Sequence, residues 1–374
     1  MRDRPILVHI IHNDGPGGGP GALLAQVVFL REHFDTLVIH GGNGRIAREC
    51  EAMGIPHLQL PLDRLYKLPA GLVRLAAALR RIRPRLVVLH GQWAGPVGAL
   101  AARLARVPRL VYLAQWPSFY TDWDWWRVNR NFWAEWIPCR LADRVITLSA
   151  GNHYQYRIRG WTPEKKLVRL SNSVDTSAVP TPEETAAVRA AHGWRDDECH
   201  VVSVGRLDDQ KRIDWLLRSW SLVQPAAPRA RLWIVGDGAE RGHLEKLAAG
   251  LSLNTCRFLG AMPAGLPFIA AADVVAMTTL YEAHANVPLE AMACGKPIVA
   301  SGVDGVTDSV RDGVTGFLIP PGDTDAFAGR LLDLIRAPDL RRQVGRNARN
   351  AAQAFDTKTV LPRYLRLYEE LLQE

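Results

Sequence analysis

Short runs of apolar and β-branched residues alternate with longer amphipathic segments along the whole chain. This alternation is typical of βαβ units built around parallel sheets. The strands predicted in the first half are Ile6–Ile11, Thr36–His40, Leu86–His90, Leu110–Ala114, Val145–Leu148 and Leu167–Leu170. Those predicted in the second half are His200–Gly205, Arg231–Val235, Cys256–Leu259, Asp273–Met277, Pro297–Ala300 and Gly316–Ile319. Helical segments between the strands include Gly71–Arg83, Val97–Leu104, Ile213–Val223 and Thr324–Ile335.

The repetition of this scheme predicts two successive domains, because 374 residues exceed what one hydrophobic core usually organises. Prolines at 180 and 182 interrupt regular structure, so we predict domains at 1–178 and 179–355. Residues 356–374 carry apolar side chains at helical spacing and predict a closing helix. The expected fold class is α/β, with two doubly wound, Rossmann-like domains facing across a cleft and the closing helix packed on the first.

The five cysteines are scattered, without a CxxC pair or a histidine at metal-ligand spacing. They predict reduced thiols in a cytoplasmic protein and argue against a disulfide or zinc framework. The apolar run Ile6–Ile11 is too short for a membrane span or a signal-peptide core. We therefore expect a soluble, unexported protein.

The net charge of +8 is unevenly distributed. Residues 1–175 contain 24 Lys and Arg against 13 Asp and Glu, whereas the remainder contains 22 against 25. This asymmetry suggests that the first half meets something anionic. An anionic membrane surface and a phosphorylated acceptor both fit, and a basic composition without any partner is the alternative. No nucleic-acid-binding motif is present, so nucleic acid is not an expected partner.

The strongest local motif follows the predicted strand Asp273–Met277. Pro288 predicts the first position of a helix there, and Gly295 predicts its end. Glu290 then falls in the first helical turn, where backbone N–H groups and the helix dipole favour anions. A carboxylate there can accept hydrogen bonds from a ribose while a phosphate binds the N–H groups, although helix capping is the alternative role. Glu282 precedes the helix and is predicted to project into the same cleft.

A second motif, Val204-Gly205-Arg206-Leu207, is followed by Gln210-Lys211. Arg206 and Lys211 thus leave a loop at the carboxyl end of a strand, where doubly wound sheets bind ligands. Arginine grips diphosphate oxygens bidentately and lysine adds a point charge. A solvated basic turn is the alternative interpretation.

A third motif is the glycine-rich loop from Asp14 to Gly21, after the first strand. Its glycines allow the backbone to approach a ligand closely, and the following helix offers its N-terminus. No Gly-Lys-Ser/Thr sequence follows, so the loop is not a P-loop, and it lacks the spacing of a dinucleotide fingerprint.

Together these motifs resemble glycosyltransferase family four, the large retaining family of the GT-B fold, over nearly the whole chain. The matching segments are Gly17-Gly18, Ala142–Ile146 with Ser149, Asn172–Asp175, Gly205–Leu207 with Lys211, Val235–Gly238, Glu282–Gly295, Asp312–Leu318 and Tyr364–Leu371. The resemblance implies transfer of a hexose-type sugar from a nucleotide diphosphate donor, such as a UDP- or GDP-sugar, to a saccharide, lipid-linked or small-molecule acceptor.

The resemblance also implies roles for particular residues. Arg206 and Lys211 would bind the donor diphosphate and stabilise the charge that develops on it. Glu290 would bind the ribose, and Glu282 would bind sugar hydroxyls near the reacting carbon, so that the catalytic set is Glu282, Arg206 and Lys211. The bond would form with retention by front-face attack, without a metal or cofactor. The other donor-binding residues implied are Gly17, Gly18, His284, Ala285, Asn286 and Val287.

The sequence departs from the family pattern at four places. Ala283-His284-Ala285 follows the first glutamate where the family usually has Gly-Phe-Gly, and Asn172-Ser173 replaces Asn-Gly. Residues 303–308 replace a Gly-Gly-x-Pro-Glu loop, which is expected to reshape the donor-sugar pocket. Gln115 stands where the first domain commonly carries a histidine.

His90, Gln115 and Trp116 are the predicted acceptor-binding residues. His90 ends a predicted strand and is expected to point toward the cleft, whereas His9 is more typical of a hydrogen-bonded core residue. The segment Asp122-Trp123-Asp124 matches the DxD metal motif of the other glycosyltransferase fold. It lies outside the donor half, so we predict no metal site.

The segment from Trp116 to Trp136 contains six of the twelve tryptophans. Aromatic faces stack on sugar rings and also lie at membrane interfaces, while a packed helical core is the alternative. We expect an acceptor-facing helix and loop, with peripheral contact to the inner face of an anionic membrane as an addition.

Two other functions fit the same fold. Sugar-nucleotide 2-epimerases share it but lack the segment from Leu289 to Gly295 in this form. A non-catalytic protein that binds nucleotide sugars would be compatible with Gln115 and the loop at 303–308. Retention of both predicted cations and both glutamates argues against that second function.

Overall fold

The computed structural model describes residues 4–12, 17–42, 44–60, 69–115 and 125–374. The chain divides into two compact units. The first unit contains residues 1–172 and 360–374, and the second contains residues 173–359. The division falls between Asn172 and Ser173, before the two prolines at which the sequence suggested a boundary.

The described part of the first unit contains a seven-stranded parallel sheet in the order β3-β2-β1-β4-β5-β6-β7. Its strands are β1 (Ile6–Ile11), β2 (Asp35–His40), β3 (His57–Gln59), β4 (Leu86–His90), β5 (Arg109–Ala114), β6 (Arg144–Thr147) and β7 (Leu167–Arg169). The strand order reverses at β1 and β4, which pair from Leu7 and Leu86 to Ile11 and His90. Ligands bind outside the carboxyl ends of strands at such a reversal.

The second unit repeats this plan with a six-stranded parallel sheet in the order β10-β9-β8-β11-β12-β13. Its strands are β8 (Cys199–Val204), β9 (Ala230–Val235), β10 (Cys256–Gly260), β11 (Val274–Met277), β12 (Ile298–Ser301) and β13 (Phe317–Ile319). The order reverses at β8 and β11, so this sheet also has a ligand-binding edge.

Helices connect the strands in both units. Those of the first unit are α1 (Gly18–Leu30), α2 (Arg45–Met53), α3 (Pro69–Ile82), α4 (Gly91–Leu104), α5 (Trp125–Leu141) and α6 (Ala150–Ile158). Those of the second unit are α7 (Pro182–Ala191), α8 (Ile213–Ala226), α9 (Arg241–Gly250), α10 (Leu266–Ala271), α11 (Asn286–Ala293), α12 (Thr324–Arg336) and α13 (Pro338–Ala352). In the described part of the chain, no helix combines the length and apolar character needed to cross a bilayer.

Burial on both faces explains why the central strands consist mostly of apolar residues. All five side chains of β4, Leu-Val-Val-Leu-His, are buried. A parallel sheet covered by helices on both sides selects such runs rather than an alternating pattern. In the first unit, Val8 and Leu89 belong to one core cluster, while Ile11 and Val38 belong to another. The predicted class of two doubly wound α/β domains is therefore confirmed.

The last helix, α14 (Thr357–Gln373), joins the first unit from Val360 onward. Tyr364 is fully buried there and its hydroxyl lies 3.3 Å from the carbonyl of Leu170. The predicted packing of the closing helix on the first domain is thus confirmed. Its buried side chains are Val360, Leu361, Tyr364, Leu367, Tyr368 and Leu371.

Some element boundaries differ from the prediction for identifiable reasons. Helix α4 begins at Gly91 rather than at Val97, and it includes Pro96. Pro182 begins helix α7, where the Thr181 hydroxyl accepts a hydrogen bond from the Glu184 N–H in a capping box. Pro96 therefore lies inside a helix, and Pro182 begins one rather than only interrupting regular structure.

Candidate functional site

Backbone contacts join the loops that follow strands β8 and β9. The N–H of Leu207 donates a hydrogen bond to the carbonyl of Asp237 at 3.0 Å. A Cβ at Gly236 would lie 1.8 Å from the carbonyl oxygen of Gly205, so the two loops approach this closely only because a glycine is present. The close approach fixes Arg206 at the carboxyl end of β8.

Arg206 is held by two neighbouring side chains. Its Nη1 lies 2.8 Å from Oδ2 of Asp208, and its Nη2 donates to Oε1 of Gln210 at 3.2 Å. The Asp208 carboxylate also accepts the N–H of Lys211, which closes a short 3-10 turn. The Arg206 side chain is 46% exposed, so its orientation is restrained while it remains accessible to an anion.

Lys211 and Glu282 form an ion pair between loops far apart in sequence. Lys211 Nζ donates to Oε1 of Glu282 at 2.5 Å, and the two side chains are 18% and 10% exposed. The hydroxyl of Thr279 lies 3.0 Å from the same carboxylate oxygen. Gln210 Nε2 donates to the carbonyl of Tyr281 at 2.8 Å. A connected network thus brings the three predicted catalytic residues together.

Helix α11 begins at Asn286, after the extended residue Ala285. The predictions that Pro288 is the first helical residue and that Glu290 lies in the first turn are therefore wrong. Proline is tolerated at the third helical position because first-turn N–H groups have no acceptor within the helix. Glu290 is half-buried in the second turn, and Val287 lies at the positive end of the helix dipole.

Two segments that depart from the family pattern pack against each other. The N–H of Ala285 donates to the carbonyl of Gly305 at 3.0 Å. Gly305 has a φ of +77°, and a Cβ there would lie 2.7 Å from the carbonyl oxygens of Glu282 and Ala283. The loop at 303–308 therefore supports the segment that carries Glu282 and leads into helix α11.

His284 is buried between Glu282 and helix α11. Burial lowers its pKa to about 4, and the nearby Asp308 carboxylate partly opposes that shift. Its ring centroid lies 5.8 Å from that of Phe355. His284 is consequently a neutral imidazole at neutral pH, able to donate one hydrogen bond and accept another.

The first unit brings residues 17–19 and Gln115 to one edge of its sheet. Gly17 has a φ of +153° and precedes helix α1, which begins at Gly18. A Cβ at Gly19 would lie 3.3 Å from Gln115 Oε1, and one at Gly91 would lie 3.4 Å from it. The Gln115 carboxamide therefore lies beside the starts of helices α1 and α4.

His90 lies inside the first unit, against His9. Its Nε2 is 2.9 Å from His9 Nδ1, and both side chains are buried. Burial lowers the pKa of His9 to about 3, and burial together with His9 lowers the pKa of His90. The hydrogen-bonded core role predicted for His9 agrees with this geometry, whereas contact between His90 and an acceptor stays a prediction.

Trp116 and the Asp122–Asp124 segment lie outside the described residues. Among the residues that the structure describes, no group of three or more His, Cys, Asp or Glu side chains could hold a metal ion.

Sequence reasoning missed Asp208, Gln210 and Thr279 as supporting residues. Thr279 is a polar residue just after a buried strand, and this position could have identified it as a candidate. Its distance to Glu282 could be known only from the fold.

Comparisons with known proteins agree with this architecture. A family model described as "Glycosyl transferases group 1" matches residues 198–337, and one described as "Glycosyltransferase Family 4" matches residues 29–178. The D-inositol 3-phosphate glycosyltransferase of Kribbella flavida is 35% identical over 228 residues, which cover 57% of this chain. The alignment covers 53% of that protein, so the chain spans about half the length of this relative.

Two further relatives align over most of the chain. The Bacillus subtilis protein named "Putative glycosyltransferase EpsD" is 31% identical over 347 residues, covering 89% of this chain and 88% of EpsD. The crystal structure of Anabaena HepE in complex with UDP and glucose has a TM-score of 0.87 and 24% identity, over 98% and 100% of the two chains. The similarity to HepE shows the fold alone.

The two Rossmann-like sheets and these structural neighbours place the protein in the GT-B class. Within that class, the two family models match consecutive halves of the sequence, and EpsD aligns with nearly all of it. The chain belongs to glycosyltransferase family four.

Proposed function

We propose that this chain is a retaining glycosyltransferase that moves a hexose-type sugar from a nucleotide diphosphate sugar to a saccharide, lipid-linked or small-molecule acceptor. The observation that carries the proposal is the Lys211–Glu282 ion pair beside Arg206, at the carboxyl end of β8. Two cations suit a leaving diphosphate, and an adjacent carboxylate suits the hydroxyls of the attached sugar.

The cations are positioned before they meet a diphosphate. Asp208 restrains Arg206, and Glu282 restrains Lys211, so neither side chain must be ordered when the transition state forms. Preorganised charges of this kind stabilise the negative charge that develops on a leaving group in the transition state. The same contacts fix the Glu282 carboxylate, which we assign to hydroxyls of the donor sugar.

Helix α11 and the segment before it supply the remaining donor contacts. We assign the ribose to Glu290, one turn into the helix. The backbone from His284 to Val287 would meet the phosphate and the sugar, where the helix dipole favours negative charge. The neutral imidazole of His284 adds a donor and an acceptor without adding charge.

The proposed reaction is a front-face displacement. The acceptor hydroxyl attacks the anomeric carbon on the face from which the diphosphate departs, and its proton passes to a departing phosphate oxygen. The bond from the anomeric carbon to the phosphate oxygen breaks, and a bond to the acceptor oxygen replaces it. Arg206 and Lys211 stabilise the diphosphate formed, each contributing about 2.7–4 kcal/mol by analogy with oxyanion donors. The scheme uses no metal ion or cofactor.

The proposed partners are a nucleotide-sugar donor and an acceptor. HepE has been solved with UDP-glucose, and we propose a UDP- or GDP-sugar as the donor here. We retain Gly17 and Gly18 as proposed donor-binding residues, and His90, Gln115 and Trp116 as proposed acceptor-binding residues. We propose a cytoplasmic location, in line with the free cysteines of the chain.

Thermal unfolding in the presence of nucleotide diphosphates tests this proposal. A ligand at about 100 times its Kd raises the free energy of unfolding by about 2.7 kcal/mol, so UDP or GDP should raise Tm. Lys211→Ala should abolish the shift, whereas Arg346→Ala, which removes an exposed arginine of the same unit, should retain it. Failure of every nucleotide diphosphate to raise Tm would contradict the donor assignment.

A further inference from the structure

Aromatic rings and arginines of the first unit form a connected group that reaches from the core to the surface. Trp133 lies between Phe132 and Trp136, with ring centroids 5.4 Å apart in each pair. Phe132 also meets Trp161 at 5.8 Å, which extends the group beyond helix α6. At its two ends, Arg140 lies over Trp136 at 5.5 Å and Arg159 over Trp161 at 5.8 Å. Trp161 itself is buried, at 6% exposure, beneath the others. The remaining five residues, Phe132, Trp133, Trp136, Arg140 and Arg159, are called the aromatic–arginine surface below.

Several large apolar side chains of this region are exposed. Trp133 is 52% exposed and Phe132 is 38% exposed, while Ile158 on helix α6 is 55% exposed. Clustered exposure of large aromatic side chains is unusual on a soluble surface and marks an interaction site. Tryptophan with arginine suits a membrane interface, since the ring inserts among lipid headgroups while the guanidinium meets phosphate.

The aromatic–arginine surface lies away from the ligand-binding edge of its sheet. Helix α5 runs back from the carboxyl end of β5 toward the amino ends of the strands. Its end is fixed there, because Lys166 Nζ donates to the carbonyl of Ala142 just before β7 begins, and the N–H of Leu110 donates to Asp143. Gln115 and Gly17 lie at the opposite edge. This position fits docking better than an acceptor pocket.

The charge of the region complements an anionic surface. Residues 132–166 contain six Lys and Arg against three Asp and Glu. One of these acids, Glu135, is buried and accepts hydrogen bonds from the hydroxyls of Tyr112 and Tyr156, so it does not offset the surface charge. Another, Glu164, lies 3.7 Å from Arg157. Arg140 and Arg159 are both exposed, and Arg159 also donates a hydrogen bond to the carbonyl of Gln155.

We propose that the aromatic–arginine surface docks the first unit on an anionic phospholipid bilayer. Its aromatic rings enter the headgroup layer, and Arg140 and Arg159 meet lipid phosphates. Docking extends the proposed function, because it would present a lipid-linked acceptor to the enzyme. Binding to the bilayer does not depend on sugar transfer, so it can be measured without an activity assay.

Co-sedimentation of the full chain with vesicles tests the proposal. Wild type should sediment with vesicles of equal parts phosphatidylglycerol and phosphatidylcholine, and not with phosphatidylcholine alone. Binding should fall steeply between about 0.01 M and about 1 M salt, as the Debye length shrinks from about 30 Å to about 3 Å. Each arginine near the surface is worth about fivefold in affinity, so Arg140→Gln with Arg159→Gln should weaken binding by about 25-fold.

Matched control variants test whether membrane binding depends on this surface rather than on the overall charge and exposed apolar area of the protein. Phe132→Ser with Trp133→Ser should weaken binding at least tenfold, whereas Leu222→Ser with Val314→Ser, at exposed positions of the second unit, should not. Arg346→Gln with Lys246→Gln is the corresponding charge control. The Tm of each variant and its shift with UDP or GDP confirm that the fold and the donor site are intact.

Three outcomes would overturn the proposal. They are absence of binding to anionic vesicles, equal loss in the surface and control variants, and a dimer in light scattering that the surface variants dissociate. The last result would assign the surface to a second copy of the chain. Because the donor site is measured separately by thermal shift, failure of membrane docking is distinguishable from failure of the proposed transferase function.

Discussion

At the scale of single residues, Arg206 and Lys211 are expected to stabilise the leaving diphosphate. Arg206→Ala should lower kcat by about 10²–10³, because it removes a preorganised charged donor worth about 2.7–4 kcal/mol in the transition state. Its effect on Tm should be small, since the side chain is 46% exposed. Steady-state kinetics with Arg346→Ala as a control checks this, and near wild-type turnover of Arg206→Ala would contradict the assignment.

Lys211→Ala should reduce turnover to a similar degree and also lower stability. It leaves the Glu282 carboxylate, 10% exposed, without its ion-pair partner. Unpaired buried charges cost about 3–5 kcal/mol, an upper limit for this partly solvated pair. The double variant Lys211→Met with Glu282→Gln should recover part of the lost Tm but no activity, which separates the catalytic effect from the structural one.

The two glutamates should differ in kinetics. Glu290→Gln should mainly raise KM for the donor, because a ribose contact is made equally in the ground and transition states. Glu282→Gln should lower kcat more than it raises KM, because Glu282 is assigned to the sugar near the reacting carbon. Donor-dependent initial rates measure both constants. Normal values for both variants would contradict a shared donor site.

At the scale of elements, the loop at 303–308 controls the segment that leads into helix α11. Gly305→Ala places a Cβ 2.7 Å from two carbonyl oxygens, so the segment around Glu282 must move. Gly313 has a similar φ of +71° but nothing within 4 Å of an added Cβ. Gly313→Ala should therefore cost only backbone strain of about 1 kcal/mol, whereas Gly305→Ala should also abolish the nucleotide-dependent shift in Tm. Equal nucleotide binding by both variants would contradict this role of the loop.

Strands with mostly apolar residues could be predicted from the sequence, including the three-residue strands β7 and β13, whereas strand β3 could not. Strands β1 and β4 match their predicted bounds because each is a mostly buried run of apolar residues with a single histidine. Strand β3, His57–Gln59, has a single apolar residue between two polar ones and no fully buried residue, so its pattern is too weak to identify. The ion pair between Lys211 and Glu282 was also beyond sequence reasoning, since it depends on β8 and β11 being neighbours in the sheet.

At the scale of the whole molecule, buried histidines couple stability to pH. Burial lowers the pKa of His284 to about 4 and that of His9 to about 3, and it also lowers those of His90 and His200. Unfolding returns each group to about 6.5, so the unfolded chain binds more protons below that pH. The free energy of unfolding should therefore be largest above about pH 6.5 and fall as the pH decreases toward about 4.

Urea unfolding at several pH values measures this dependence. His284 alone should contribute about 3 kcal/mol of the loss between pH 6.5 and pH 4, from a shift of about 2.5 pKa units. His284→Asn should show a correspondingly shallower decline than wild type. A free energy of unfolding that stays constant across this range would contradict the buried neutral state of these histidines.

The central claim for the molecule is that it transfers a sugar from a nucleotide diphosphate donor with retention, using Arg206 and Lys211. The anomeric configuration of the first product formed from an α-linked UDP- or GDP-sugar tests this most directly. The assay follows the product by NMR with water or an alcohol as the acceptor, in the presence of a chelator. We predict an α-linked first product from wild type and none from Lys211→Ala. A β-linked first product, or turnover that requires an added divalent metal ion, would contradict the account.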